Sequence, residues 1–97
     1  MNIVFETIDK SGRKIRLTQK QWEHITITHH KLSNYLSEIK QTIENPIKIT
    51  YQESGGLRKY FNYLKHRNHS DKYLRVIVKY LNGEGFVLTA HFMRNIR

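Results

Sequence analysis

The chain contains no cysteine. That absence excludes disulfides, thiolate metal sites and cysteine nucleophiles, and it fits a reducing compartment, so the cytoplasm is the expected location. No apolar stretch approaches the roughly 20 residues of a membrane span. The start, Met1-Asn2-Ile3-Val4-Phe5-Glu6, lacks the basic residues and long apolar run of a signal peptide, so a soluble, unprocessed protein is expected. There is no His-Glu-x-x-His, and the histidines His24, His29, His30, His66 and His69 have neither a cysteine nor a supporting carboxylate at ligand spacing. No metal and no cofactor are therefore expected. A Ser-His-Asp order, a glycine-rich nucleotide loop and an internal repeat are also missing.

Acidic residues are scarce: 8 Asp+Glu stand against 17 Lys+Arg, a net charge of +9 over 97 residues. This length supports one compact domain, residues 1–97, with one modest core. Residues 1–54 carry eight basic and six acidic groups, whereas residues 55–97 carry nine basic and two acidic groups. An excess concentrated in one half points to a polyanionic partner, whose affinity would fall steeply with salt.

The local pattern predicts a short hairpin first, Ile3 to Ile8 and Lys14 to Leu17, turned by Asp9-Lys10-Ser11-Gly12. Thr18-Gln19-Lys20-Gln21 reads as a capping box opening a helix to about His29, with Trp22, Ile25 and His29 on one face and His24 and Thr28 on the adjacent row. Ser33 is the expected N-cap of a second helix, whose stripe of Tyr35, Leu36, Ile39 and Ile43 ends before Pro46. The period then changes to two, giving strands at Ile47 to Gln52, Lys59 to Lys65, Tyr73 to Leu81 and Gly85 to Met93, the last two joined by Asn82-Gly83. The fold expected is α+β: two N-terminal helices, with a short hairpin before them, packed on a four-stranded antiparallel sheet. Alternation puts Val76, Val78, Tyr80, Phe86, Leu88, Ala90 and Phe92 on the helix side. Arg75, Lys79, Thr89 and His91 then share the other face, a mixture of cations, hydroxyl and imidazole suited to phosphate.

Imidazoles, cations and hydroxyls are the groups that metal-free phosphodiester cleavage needs: a base, an acid and charge for the phosphorane. In order and spacing, Trp22-Glu23-His24-Ile25, His29-His30-Lys31, Asn45-Pro46, Arg58-Lys59-Tyr60, Val76-Ile77-Val78-Lys79 and Thr89-Ala90-His91 resemble the phage-associated branch of the barnase, EndoU, colicin and RelE-like (BECR fold) nucleases. The resemblance spans roughly residues 15 to 96. Two positions depart from the pattern: His30 and Lys31 replace a proline and a glutamate, and His91 replaces a tyrosine.

The resemblance implies a metal-independent endoribonuclease, toxin-like or phage-associated, in which the RNA 2′-OH attacks its own phosphate to leave a 2′,3′-cyclic phosphate. Within that frame His24 is the first choice as base or acid, and His29 holds or protonates the substrate. Arg58 and Lys79 neutralise the phosphorane, Thr89 positions a phosphate oxygen, and His91 takes the tyrosine's place. Tyr60 and Tyr63 would stack on bases, and Lys65, Arg67, Arg75 and Arg94 would track the backbone. An acidic antitoxin or immunity protein is the implied partner besides RNA. The rival expectation is a non-catalytic basic RNA- or DNA-binding module on the same sheet. A third reading is an interaction domain whose basic face docks an acidic protein.

Overall fold

Six strands form one mixed sheet in the computed structural model, which describes residues 2–52 and 54–96. In chain order the elements are β1 (Ile3–Ile8), β2 (Lys14–Thr18), α1 (Gln19–Thr28), a 3₁₀ turn (His30–Asn34), α2 (Leu36–Glu44), β3 (Lys48–Gln52), β4 (Leu57–Tyr63), β5 (Tyr73–Leu81) and β6 (Glu84–Met93). The sheet order is β1-β2-β6-β5-β4-β3.

This corrects the expected four-stranded antiparallel sheet with helices at the N-terminus. The helices follow the β1–β2 hairpin, and that hairpin joins the sheet because β2 pairs parallel with β6. The pairing consists of two positions, Ile15 with Gly85 and Arg16 with Phe86. A contact this short leaves no periodic signature. It depends on Gly85, where an added Cβ would lie 2.9 Å from Ile15 Cγ1 and 3.0 Å from the Tyr80 ring. Arg16 then ties the three strands together, with Nε donating to Glu6 at 2.7 Å and Nη2 donating to Glu84 at 3.1 Å.

Thr18 caps α1 as its sequence implies, its hydroxyl accepting from the Gln21 N–H at 3.1 Å. The Gln21 side chain does not return that bond. It donates instead to the carbonyl of Leu88 on β6. Leu88 is the extra residue of a β-bulge, since Ile77 pairs with Thr89 while Val78 pairs with Val87. The bulge inverts the alternation before it: Val87 enters the core, and Phe86 faces the same way as Lys79. The expected placement of Phe86 and Leu88 on the helix side is thereby corrected.

The second helix begins at Leu36, not after Ser33, because His30–Asn34 closes a 3₁₀ turn that buries Leu32. α2 buries Ile39, Thr42 and Ile43 against β1, β4 and β5. One core results, built from Ile15, Leu17, Ile25, Leu32, Ile39, Ile43, Leu74, Val76, Val78 and neighbours. The Asn82-Gly83 turn has φ of 55° and 81°, the left-handed pair that matches the twist of its flanking strands.

Candidate active-site cleft beside the sheet

Strand pairing lays out the face opposite the core in rows. Phe61, Arg75 and His91 share one row, in register across β4, β5 and β6, and Lys59, Ile77 and Thr89 share the next. Lys48 and Thr50 of β3 extend these rows. All of these charged side chains are basic, so the face is electropositive.

α1 runs alongside β6 beyond the point where β2 stops pairing, with Gln21 on Leu88 near one end and His29 closing the other. His29 is the C-cap residue, its N–H donating to the Ile25 carbonyl at 2.7 Å. The turn there brings the His29 ring to 5.9 Å from the His91 ring, centroid to centroid. Both line a cleft of about 810 Å³ together with Thr28, His30, Lys31, Arg67 and Thr89.

His91 is half-buried, and its pKa falls to about 4. Burial is the main cause, followed by the positive charges of Arg75, His29 and Lys59. Its imidazole is therefore neutral over the physiological range. Arg75 is half-buried too, with its Nε lacking a hydrogen-bond partner among the described residues, and burial lowers its pKa. The half-buried guanidinium beside a neutral imidazole leaves this part of the face positively charged. Asp71 is the acidic residue lining the cleft, and it lies 3.9 Å from Arg94 and 4.0 Å from His69.

Of the residues expected to act, the cleft gathers His29, Thr89, His91 and Arg67, and Arg75 neighbours His91 across the strands. Lys79 lies on the same face one alternate position beyond Ile77, outside the cleft. His24 is exposed on the outer side of α1 and does not line the cleft. The buried arc of that helix centres on Ile25, which turns the preceding side chain outward. Tyr63 is 46% exposed and packs on Tyr73 at 5.0 Å. Lys65 is exposed and lines a second cleft, and exposed Arg94 reaches toward Asp71.

Arg58 and Tyr60 belong elsewhere. Register with Val78 and Val76 puts both on the core side, where they meet Asp9 from the β1–β2 turn. Asp9 has a side chain only 1% exposed. Its Oδ1 accepts from the N–H and hydroxyl of Ser11 at 2.9 and 2.6 Å and from the Arg13 N–H at 3.0 Å. Its Oδ2 accepts from the hydroxyls of Tyr60 at 2.6 Å and Tyr80 at 3.1 Å, with Arg58 at 3.6 Å. Burial alone would raise the Asp9 pKa, but the bonds from Ser11, Tyr60, Arg13 and Tyr80 outweigh it and hold the carboxyl at about 2. Burial, then Asp9, pushes the Tyr60 hydroxyl far up. Arg58 is sandwiched between the Tyr51 and Tyr80 rings, at 4.7 and 4.8 Å. Tyr60 is fully buried, so no base can stack on it.

Sequence reasoning missed Lys59, Tyr73, Tyr80 and Asp9. Asp9 reads locally as a turn residue, and its long-range partners come from strands far along the chain. Among the described residues no group of three or more His, Asp or Glu gathers as a metal site, and no helix is long and apolar enough to cross a membrane. No family model, no curated protein and no solved structure matches this chain.

Proposed function

We propose that the His29–His91 cleft is the active site of a metal-independent endoribonuclease acting in the manner of the BECR-fold nucleases. The observation that carries this reading is the pairing of two imidazoles, 5.9 Å apart, beside Thr89 and an electropositive sheet. Hydrogen bonds of about 2.8 Å from rings at that spacing both reach oxygens of one phosphate.

In the reaction, neutral His91 takes the proton of the 2′-OH, and the 2′-oxygen attacks the adjacent phosphorus. The bond from phosphorus to the 5′-oxygen breaks, and that oxygen leaves with a proton from protonated His29. The products are a 2′,3′-cyclic phosphate and a 5′-hydroxyl. Arg75 and Lys59 offset the charge of the phosphorane, and the Thr89 hydroxyl donates to a phosphate oxygen. Lys79 and the Tyr63–Tyr73 pair extend the face along which a single strand would lie. A cell making such an enzyme in its cytoplasm needs it restrained, and an acidic antitoxin or immunity protein would bind this basic face. The same uncompensated cations and exposed tyrosines also support a second reading, a binding module that holds RNA without cutting it.

The pH dependence of RNA cleavage tests the assignment. Because the base works when deprotonated, kcat/KM rises with pH through about 4, and it falls again at higher pH because the general acid must carry a proton. Arg75→Gln removes one of the charges that hold the His91 pKa down, so this limb moves upward toward the ordinary imidazole range, near about 6.5. A wild-type limb already at that value, unmoved by Arg75→Gln, would contradict His91 as the base. RNA bound with strong salt dependence but left intact at every pH would favour the binding module.

A further inference from the structure

We propose that a second cleft, between α2 and the end of β4, is a binding subsite for one unpaired nucleobase of the strand whose phosphate sits at His29 and His91. This rests on the ribonuclease reading and names how the substrate is held.

The second cleft has a volume of about 560 Å³, within the range of small-ligand sites. Glu38 and Gln41 line it from one face of α2, Asn45 lines it from the residue that ends that helix, and Asn62 and Tyr63 line it from β4. The Asn62 side-chain oxygen accepts from the Tyr63 N–H at 2.9 Å, which leaves its NH₂ group as a donor. Three carboxamides beside two tyrosine rings, Tyr35 and Tyr63, form a lining rich in neutral donors, neutral acceptors and π-faces. Unpaired bases are recognised by that chemistry, through stacking and edge hydrogen bonds. Both clefts carry cations, with Lys65, His66 and Arg67 here and Lys31 and Arg67 at the imidazole cleft, but carboxamides and tyrosine rings line only this one.

Arg67 joins the two, since it lines both clefts. Its guanidinium lies 3.6 Å from the Phe92 ring centroid and 5.8 Å from that of Tyr35, and it donates to the Asp71 carbonyl. Tyr35 meets Phe92 edge-on at 4.9 Å. A single packed wall thus separates a phosphate site from a base site, an arrangement that suits one nucleotide of a flexible strand.

Calorimetric titration of the intact protein with the four nucleoside 5′-monophosphates, against ribose 5-phosphate, tests the subsite. At least one nucleotide should bind about tenfold more tightly than the baseless sugar phosphate, the effect of one or two net hydrogen bonds. Gln41→Ala combined with Asn45→Ala, both exposed positions, should remove that advantage and leave ribose 5-phosphate binding unchanged. No advantage for any base, or an advantage that survives both substitutions, overturns the subsite. The cleavage reading fails separately: intact RNA together with a base advantage dependent on Gln41 and Asn45 keeps the subsite and removes the nuclease, and cleaved RNA without a base advantage does the reverse.

Discussion

His91→Ala is expected to lower the rate of RNA cleavage by about 10²–10⁴-fold, the usual loss when a positioned acid or base is removed. RNA binding, which the proposal assigns to Lys59, Arg75 and Lys79, should weaken little. His29→Ala should cause a loss of the same order, and the double variant should lose little more than either alone, because in the proposed mechanism the two rings serve one proton circuit. His24→Ala is the informative control. It is exposed on α1 and outside the cleft, so its replacement should leave cleavage within about twofold of wild type, a difference of under about 0.5 kcal/mol in the barrier. Initial rates on one oligoribonucleotide, with melting temperatures beside them, decide the matter. Equal losses for His24→Ala and His91→Ala would place the chemistry elsewhere.

The second large effect is on stability. Asp9→Ala should destabilise the fold by about 3–5 kcal/mol, since it strands the Arg58 guanidinium in a nearly dry pocket and leaves the Tyr60 and Tyr80 hydroxyls only each other as partners. For a domain of this size that lowers the melting temperature by roughly 12 °C or more. A pH dependence accompanies it. The carboxyl is held near 2 in the folded chain against an ordinary value of 3.8, so its extra stability is fully present above about pH 4 and is lost as the pH falls through 2. That difference is worth about 2 kcal/mol in wild type and should vanish in Asp9→Ala. Urea denaturation at pH 7 and pH 2.5 reads both. A variant melting within two or three degrees of wild type, with an unchanged acid limb, would show that the cluster contributes little.

Asp9 and His91 differ in how far the local sequence displays their roles. Local rules were legible: Thr18 caps α1, Asn82-Gly83 turns β5 into β6, and Leu74, Val76 and Val78 alternate into the core. Thr89 and His91 were correctly grouped on a polar face because the alternation beyond the bulge is regular. What stayed hidden depends on pairing between distant segments. Nothing local marks the two-position parallel contact of β2 with β6, so the sheet read as four strands when it has six. Nor does spacing reveal Leu88 as a bulge, which reverses the side taken by Phe86 and Val87.

Parity explains Arg58 and Lys59 in the same way. Adjacent strand residues take opposite faces, and only the register with Val78 and Ile77 determines that Arg58 joins the core cluster while Lys59 joins the cationic face. On α1, helical spacing alone does not separate His24 from His29. The helix end decides between them, because the chain turns at His29 and carries that ring beside β6.

The most direct test of the cleft as a metal-independent ribonuclease is a DNA oligonucleotide containing one ribonucleotide, incubated with the protein in EDTA. The account predicts a single cut on the 3′ side of that ribose, a 2′,3′-cyclic phosphate on the upstream fragment, and no cut when the ribonucleotide carries a 2′-O-methyl group. An intact ribose-containing strand, or cleavage that ignores the 2′-OH, would contradict it.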